Sequence, residues 1–211
     1  MNQSPDLVSI VIPIVIVLLS LTVHEAAHAW TADRLGDPTA RLLGRVSLNP
    51  IVHIDPIGTI LLPLVAVYSG FPVIGWAKPV PVNISRLRHH RRDFMIVAAA
   101  GPLSNLAQAV VAAVVFRTLV DATGYTASPA LAGVLVTVMA INVQLAFFNL
   151  IPIPPLDGGN VLAGLVPERA AAILDTMRQF GFILLYVLML TGVLGDLILP
   201  PTDFVMRLLL L

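Results

Sequence analysis

Three ionisable residues of the decapeptide LTVHEAAHAW, residues 21–30, are spaced as a pair of metal ligands with an adjacent base. On an α-helix, His24 and His28 lie on one face about one turn apart, so both imidazoles can reach one ion, and neutral imidazole suits zinc. Glu25 follows the first histidine directly, where its carboxylate can reach a water activated by the ion rather than the ion itself. The H-E-x-x-H pattern is typical of zinc metallopeptidases, in which the glutamate is the general base.

The composition of the chain indicates that this motif lies in a membrane. Of the 211 residues, 57% are hydrophobic and 11% are charged, and the mean hydropathy is +0.92. These values lie outside the range of soluble globular domains and predict an integral membrane protein. Each ionisable group within a spanning helix costs about 2.5 kcal/mol or more to insert, so such groups are candidates for function. The chain contains no cysteine, so a metal site must use His, carboxylate or water.

Two histidines and one water leave a tetrahedral zinc ion one ligand short, and the candidates are Glu168 and ten aspartates. Most of the aspartates lie in charged loops or at helix ends, where solvation or capping explains them. Asp157 differs because it follows the proline-rich break NLIPIPPL and precedes Gly158 and Gly159, which let the backbone turn sharply or approach another element. A turn role explains an aspartate before two glycines equally well, so spacing alone leaves the third ligand open.

Apolar runs predict the elements that must position these residues. Helices are expected at about 7–32, 94–119, 131–150 and 170–194, each long enough to cross a bilayer. The predicted fold class is an all-α polytopic membrane protein with a three-helix catalytic core and a C-terminal transmembrane helix. No appended soluble domain is visible, so we expect one membrane-embedded domain over residues 1–211.

The stretch between the first two predicted helices is not predicted to be a single transmembrane span. Eight of the 12 basic residues flank it, namely Arg34, Arg41, Arg45, Lys78, Arg86, Arg88, Arg91 and Arg92. The positive-inside rule places both flanks in the cytoplasm, so the chain must enter and leave on one side. Prolines and glycines interrupt the stretch, and GWAKPVPVN at 75–83 suits an edge strand. We therefore expect a re-entrant hairpin with a short edge strand over about 56–83, lining a cavity near the cytoplasmic face.

Three motifs together resemble one known family. HEAAH at 24–28, GPLSN at 101–105 and NLIPIPPLDGG at 149–159 resemble, in order, the motifs of the site-2 protease family, the intramembrane zinc metalloproteases. The resemblance covers about residues 20–165. It implies that one Zn²⁺ per chain is held by His24, His28 and Asp157, and that Glu25 is the catalytic base. It also implies that Asn149 and Asn105 hold the substrate backbone or stabilise the oxyanion.

The two asparagines also have an explanation that does not depend on the resemblance. An amide that donates to a tetrahedral intermediate contributes roughly 3 kcal/mol to catalysis. An amide that only joins two membrane helices contributes about 0.6 kcal/mol on average. Asn142 and Gln144 match none of the three motifs, so we interpret them as contacts between helices.

The function expected from these features is hydrolysis of peptide bonds in or near transmembrane segments of membrane proteins, as in regulated intramembrane proteolysis. The expected partners are a transmembrane protein substrate and the lipid bilayer, without nucleic acid. The chain resembles a minimal member of the family without a PDZ or CBS domain. We expect a multi-pass protein of a prokaryotic plasma membrane, with its active site near the cytoplasmic face.

The sequence is also compatible with three alternative functions. One is a membrane-anchored gluzincin, for which Glu168 is the available third ligand, although VPERAA suits a helix N-terminus. Another is an ion transporter that uses the histidines and aspartates, because broken helices and re-entrant segments occur in transporters too. The third is an inactive homologue that only binds membrane segments.

Overall fold

The computed structural model describes residues 7–69, 75–123 and 129–211, and this described part is helical without a β-strand. The α-helices are α1 (Leu7–Arg34), α2 (Thr39–Leu42), α3 (Leu62–Ser69), α4 (His90–Thr123), α5 (Pro129–Asn149), α6 (Asp157–Leu165), α7 (Glu168–Met177), α8 (Gly181–Leu190) and α9 (Val193–Leu210). Short 3₁₀ turns occupy Pro50–His53, Ile84–Arg86 and Arg178–Phe180, and a π-helix occupies Pro56–Leu61.

Four helical stretches are long and apolar enough to cross a membrane: Val11–Arg34, His90–Val120, Pro129–Asn149 and Glu168–Leu190. They correspond to the four predicted crossings. The predictions of an all-helical protein and of four candidate membrane spans are therefore confirmed.

Helix α4 packs against both α1 and α5, and it also contacts α6. Small side chains are buried where these helices meet, among them Ala29, Ala98, Ala109, Ala113 and Ala146. Small residues let membrane helices approach closely, and close packing stabilises them because lipid provides little hydrophobic driving force. This approach brings the middle of α4 against the histidine-bearing end of α1.

The fourth predicted helix, at about 170–194, is interrupted. It consists of α7, a 3₁₀ turn at Arg178–Phe180 and α8, which ends at Leu190. Gly192 then adopts φ 81, a left-handed conformation that glycine takes without steric cost, and α9 begins at Val193. Gly192 thus separates α8 from α9, and α9 packs on both α8 and α5.

The predicted edge strand is wrong. Residues 75–83 are extended but belong to no strand. Four of their backbone amides donate hydrogen bonds to four separate acceptors instead of to one neighbouring strand. The amides of Trp76, Lys78, Val80 and Asn83 donate to Gly58 O, His53 O, Glu25 Oε2 and Asp37 Oδ2, respectively. We call residues 75–83 the extended segment. The π-helix before it continues into α3, and residues 70–74 of the predicted hairpin lie outside the described residues.

Candidate active site

Helices α1 and α6 bring three predicted ligands to one point. The Nε2 atoms of His24 and His28 are 3.0 Å apart, and they lie 3.1 and 3.2 Å from Oδ2 of Asp157. Within the described ranges, these residues form the group of His and acidic side chains that could hold one metal ion, and Glu168 is not part of it. The separations are close to those between ligands of one tetrahedral zinc ion bound at about 2.0–2.1 Å.

The other ring nitrogen of each histidine is already engaged. Nδ1 of His28 lies 2.7 Å from the carbonyl oxygen of Val97, which can only accept, so Nδ1 carries the proton and Nε2 presents a lone pair. Nδ1 of His24 lies 2.7 Å from Oδ1 of Asn105, and both groups are buried. Such partners of the non-ligating nitrogen are typical of metal-binding histidines, because they fix the tautomer and the ring orientation.

A cation fits this arrangement. Oδ2 of Asp157 is buried and forms no hydrogen bond, although it lies close to both Nε2 atoms. With the ring protons on Nδ1, two lone pairs and a carboxylate oxygen face one another without a proton between them, which costs free energy unless a positive charge is present. Two imidazoles and one carboxylate are also a zinc ligand set of the catalytic kind.

Glycines allow the backbone to approach this centre. Helix α4 passes the imidazoles at Gly101, where a Cβ atom would collide with the rings of His28 and His24. A Cβ atom on Gly158 would collide with the backbone of Leu150. The proline-rich break therefore folds back over the start of α6, which holds Asp157 towards α1. Of the two possibilities that Gly158 and Gly159 leave open, a sharp turn or an approach to another element, the close approach is thus present.

Glu25 lies beside the ligands and contacts the extended segment. Its Oε2 accepts a hydrogen bond from the Val80 amide at 3.0 Å. The guanidinium of Arg45, 6% exposed, donates to the carbonyl oxygens of Lys78 and Pro79, and its Nε has no partner. Burial lowers the pKa of Arg45, and the negative charge of Glu25 opposes this shift. Arg45 thus holds the residues that precede the amide bound to Glu25.

The two asparagines of the predicted site lie in different surroundings. Asn149 is half-buried at the end of α5, and its Nδ2 donates to the Leu145 carbonyl in the same helix at 2.9 Å. Asn105 is fully buried between His24 and Asn142, and both of its polar side-chain atoms are engaged.

Sequence reasoning missed two residues of this neighbourhood. The sequence predicts Arg45 only as a cytoplasmic charge and Asn142 only as a contact between helices, which the bonds of Asn142 to Asn105 on α4 and to Ser20 on α1 confirm without the sequence showing their link to His24. The available signal for Asn142 was an amide in the middle of an apolar helix, which must find a partner. Nothing in the sequence identified that partner, because Asn105 is 37 residues away.

Comparison with known proteins identifies the family. A family model described as peptidase family M50 matches residues 12–192. "Putative zinc metalloprotease YwhC" of Bacillus subtilis is 40% identical over 192 residues, covering 89% of this chain and 84% of that protein. "Putative zinc metalloprotease Rip2" of Mycolicibacterium smegmatis is 34% identical over 185 residues, covering 84% of this chain and 66% of that protein. No solved structure matches the chain significantly.

These matches confirm three predictions made from the motifs: the family, the class of enzyme and the zinc cofactor. The chain belongs to peptidase family M50, the site-2 protease family of zinc metalloproteases.

Proposed function

We propose that this zinc metalloprotease cleaves peptide bonds in or near the transmembrane segments of other membrane proteins, as in regulated intramembrane proteolysis. One observation carries the proposal: two of the three converging ligands, His24 and His28, belong to the candidate membrane span Val11–Arg34. A centre built into a spanning helix can act on peptide bonds that lie at membrane depth. Substrate identity and prior processing would then decide which bonds are presented.

In this proposal, His24, His28 and Asp157 hold the metal, and Glu25 is the general base. Zinc, when bound, supplies Lewis-acid activation of water and of the scissile carbonyl. Glu25 accepts the proton of the attacking water and delivers it to the departing amine, which balances the hydrolysis. The Val80 amide supports this role because it fixes one carboxylate oxygen of Glu25 and leaves the other free to take the proton.

The substrate must be extended at the bond that is cut, because the carbonyl of a helical peptide bond is already hydrogen-bonded. We infer that the extended segment receives it by main-chain pairing, as in strand addition. Pro79 and Pro81 have no amide hydrogen and the Val80 amide already donates to Glu25, so the donor available for pairing in this part of the segment is the amide of Val82. Asn149 is the proposed side-chain donor to the substrate or to the oxyanion.

For Asn105, the contacts favour a role other than the one implied by the family resemblance. Its Oδ1 contacts Nδ1 of His24, its Nδ2 donates to Asn142, and the residue is fully buried, so its amide group lies between these two side chains and not at a surface that a substrate could reach. We propose that Asn105 orients His24.

The topology proposed for the membrane is a single domain over residues 1–211 with a catalytic core of α1, α4 and α5 and a re-entrant segment at about 56–83. The basic residues on both sides of this segment support the re-entry and a cytoplasmic position for both flanks. The histidines lie towards the Arg34 end of α1, so the active site would be near the cytoplasmic face. The bacterial relatives support a prokaryotic plasma membrane.

The decisive experiment is cleavage of a transmembrane peptide by the full-length protein reconstituted in liposomes, with and without a zinc chelator. Glu25→Gln is expected to retain zinc and to lose cleavage, whereas Glu168→Gln, the matched change at the other glutamate, is expected to retain both. Cleavage by Glu25→Gln would refute the proposed base. Loss of zinc in Glu168→Gln would favour the gluzincin alternative, and zinc binding without any cleavage would favour the inactive homologue.

A further inference from the structure

A continuous series of buried side chains leads from a proposed zinc ligand to a helix that supplies no ligand. Nδ1 of His24 contacts Oδ1 of Asn105 at 2.7 Å, and Nδ2 of Asn105 donates to Oδ1 of Asn142 at 2.9 Å. Nδ2 of Asn142 donates to Oγ of Ser20 at 2.9 Å and to the Val138 carbonyl at 3.0 Å. All four side chains are buried, with Asn105 and Asn142 fully excluded from solvent. We call His24, Asn105, Asn142 and Ser20 the asparagine relay.

The hydrogen bond between Asn142 and the Val138 carbonyl determines which atom donates and which accepts in every bond of the relay. The Val138 carbonyl can only accept, so the side-chain atom of Asn142 that faces it must be the NH₂ group. The oxygen of Asn142 therefore faces Asn105 and can only accept, which turns the NH₂ group of Asn105 towards it. The oxygen of Asn105 is left facing His24, so Nδ1 of His24 must be the donor.

A reversed relay would give the opposite result at the metal site. If Asn142 were turned over, its oxygen would face the Val138 carbonyl, and Asn105 would have to turn as well. Its NH₂ group would then face Nδ1 of His24, which would move the ring proton to Nε2. A protonated Nε2 has no lone pair for a metal ion.

We propose that Asn142 is a positioning residue that uses the Val138 carbonyl of α5 to hold His24 in the tautomer that binds zinc. The inference rests on the proposed role of His24 as a zinc ligand. Asn142 does not touch the ligand nitrogen, so its effect passes through Asn105. Ser20 accepts the second hydrogen of the same NH₂ group and is a lesser contributor, because the carbonyl alone sets the direction.

The test is a double-mutant cycle read by metal binding. The full-length protein is stripped of metal in detergent and titrated with Zn²⁺ against a chromogenic chelator, and with Co²⁺ to record its d–d absorption. Asn142→Leu is expected to weaken Zn²⁺ binding by about 10-fold, the lower end for partners of ligating histidines. Gln144→Leu, which removes an exposed amide two residues away on the same helix, is expected to leave binding unchanged.

The discriminating background is Asn105→Asp. A carboxylate can only accept, so it holds the proton on Nδ1 of His24 without help from Asn142. In this background, Asn142→Leu is expected to weaken Zn²⁺ binding much less than it does in the native background, and to leave the Co²⁺ spectrum unchanged. An equal loss in both backgrounds would show that Asn142 acts only through helix packing and would overturn the proposal, as would no loss in the native background.

Two further variants separate the possible failures. Asn142→Ala, carried through the same two backgrounds, replaces Asn142→Leu if the larger side chain prevents folding. His24→Ala reports on the ligand itself. Unchanged Zn²⁺ affinity in His24→Ala would refute ligation by His24 and with it the proposed metal site. Lost affinity in His24→Ala together with full affinity in Asn142→Leu would refute the relay alone.

Discussion

The backbone amide of Val80 donates a hydrogen bond to Oε2 of Glu25 over 3.0 Å, across 55 positions of sequence. The contact joins the proposed base on α1 to the extended segment. Arg45 holds the carbonyl oxygens just before this amide. The proposed substrate-binding backbone is thus bonded to the base through the Val80 amide and to a buried guanidinium through the two carbonyls before it.

Arg45→Ala is expected to reduce cleavage on the order of 10-fold, equivalent to about 1.4 kcal/mol, because the extended segment loses its fixed position. Zinc content should not change, since Arg45 contacts no ligand. The chain has no cysteine, so a thiol introduced by Val82→Cys reports on the segment through its rate of maleimide labelling. Labelling should accelerate in Arg45→Ala and not in Arg41→Ala, which removes an exposed arginine paired with Asp33. Slower cleavage without faster labelling would contradict this explanation.

Gly101→Ala is expected to reduce zinc affinity and cleavage together, because the new Cβ atom would collide with both imidazoles. The matched control is Gly133→Ala on α5, where a Cβ atom has no neighbour within 4 Å. This control should keep zinc, and it should be slightly more stable because alanine favours the helix by about 1 kcal/mol over glycine. Metal analysis of the purified variants checks both outcomes. Normal zinc content in Gly101→Ala would show that α4 can move away from the histidines.

Asp157→Ala is expected to weaken zinc binding by several orders of magnitude, because it removes the one anionic ligand of the proposed set. Asp175→Ala provides the control, since Asp175 is an exposed aspartate paired with Arg178. Zinc per chain, measured after equilibration with a weak chelator, distinguishes the two. If Asp157→Ala kept a full equivalent of zinc, another residue would have to complete the site.

Removal of zinc is expected to lower the thermal stability of the protein. A ligand present at 1,000 times its Kd stabilises the folded state by about 4 kcal/mol. Without zinc, the Nε2 lone pairs of His24 and His28 and the Asp157 carboxylate also face one another with no positive charge between them. Fluorescence of Trp30 and Trp76 during heating provides the measurement. The difference in melting temperature between zinc-loaded and chelated protein should disappear in His28→Ala. A difference of the same size in His28→Ala would show that the stabilising zinc binds elsewhere.

The sequence was informative where chemistry depends on local spacing. His24, Glu25 and His28 are ordered by the period of one helix. Gly158 and Gly159 indicated a sharp turn or a close approach, and the family resemblance, not spacing, identified Asp157 as the third ligand. The four candidate spans followed from apolar length alone. These features need no knowledge of how distant elements pack.

The missed features all depend on contacts between distant elements. Asn142 reaches His24 only because α4 lies between α1 and α5, and Arg45 reaches Glu25 only through the extended segment. The proline spacing of the same segment suited an edge strand, but its amides donate to carbonyls of the 3₁₀ turn and the π-helix and to two carboxylates. A helix break near Arg178 carries no strong local signal, and Gly192 lies inside the apolar run that predicts a helix to about residue 194.

Gly101 brings the backbone of α4 directly against the proposed zinc ligands. On the α4 side the imidazoles meet bare backbone, which no change of side chain there can reshape without a collision. Attempts to engineer selectivity are therefore best directed at the extended segment, where Lys78, Pro79 and Val80 contact Arg45 and Glu25 through main-chain atoms. A library of substitutions restricted to those positions would search for altered cleavage preferences while leaving metal binding intact.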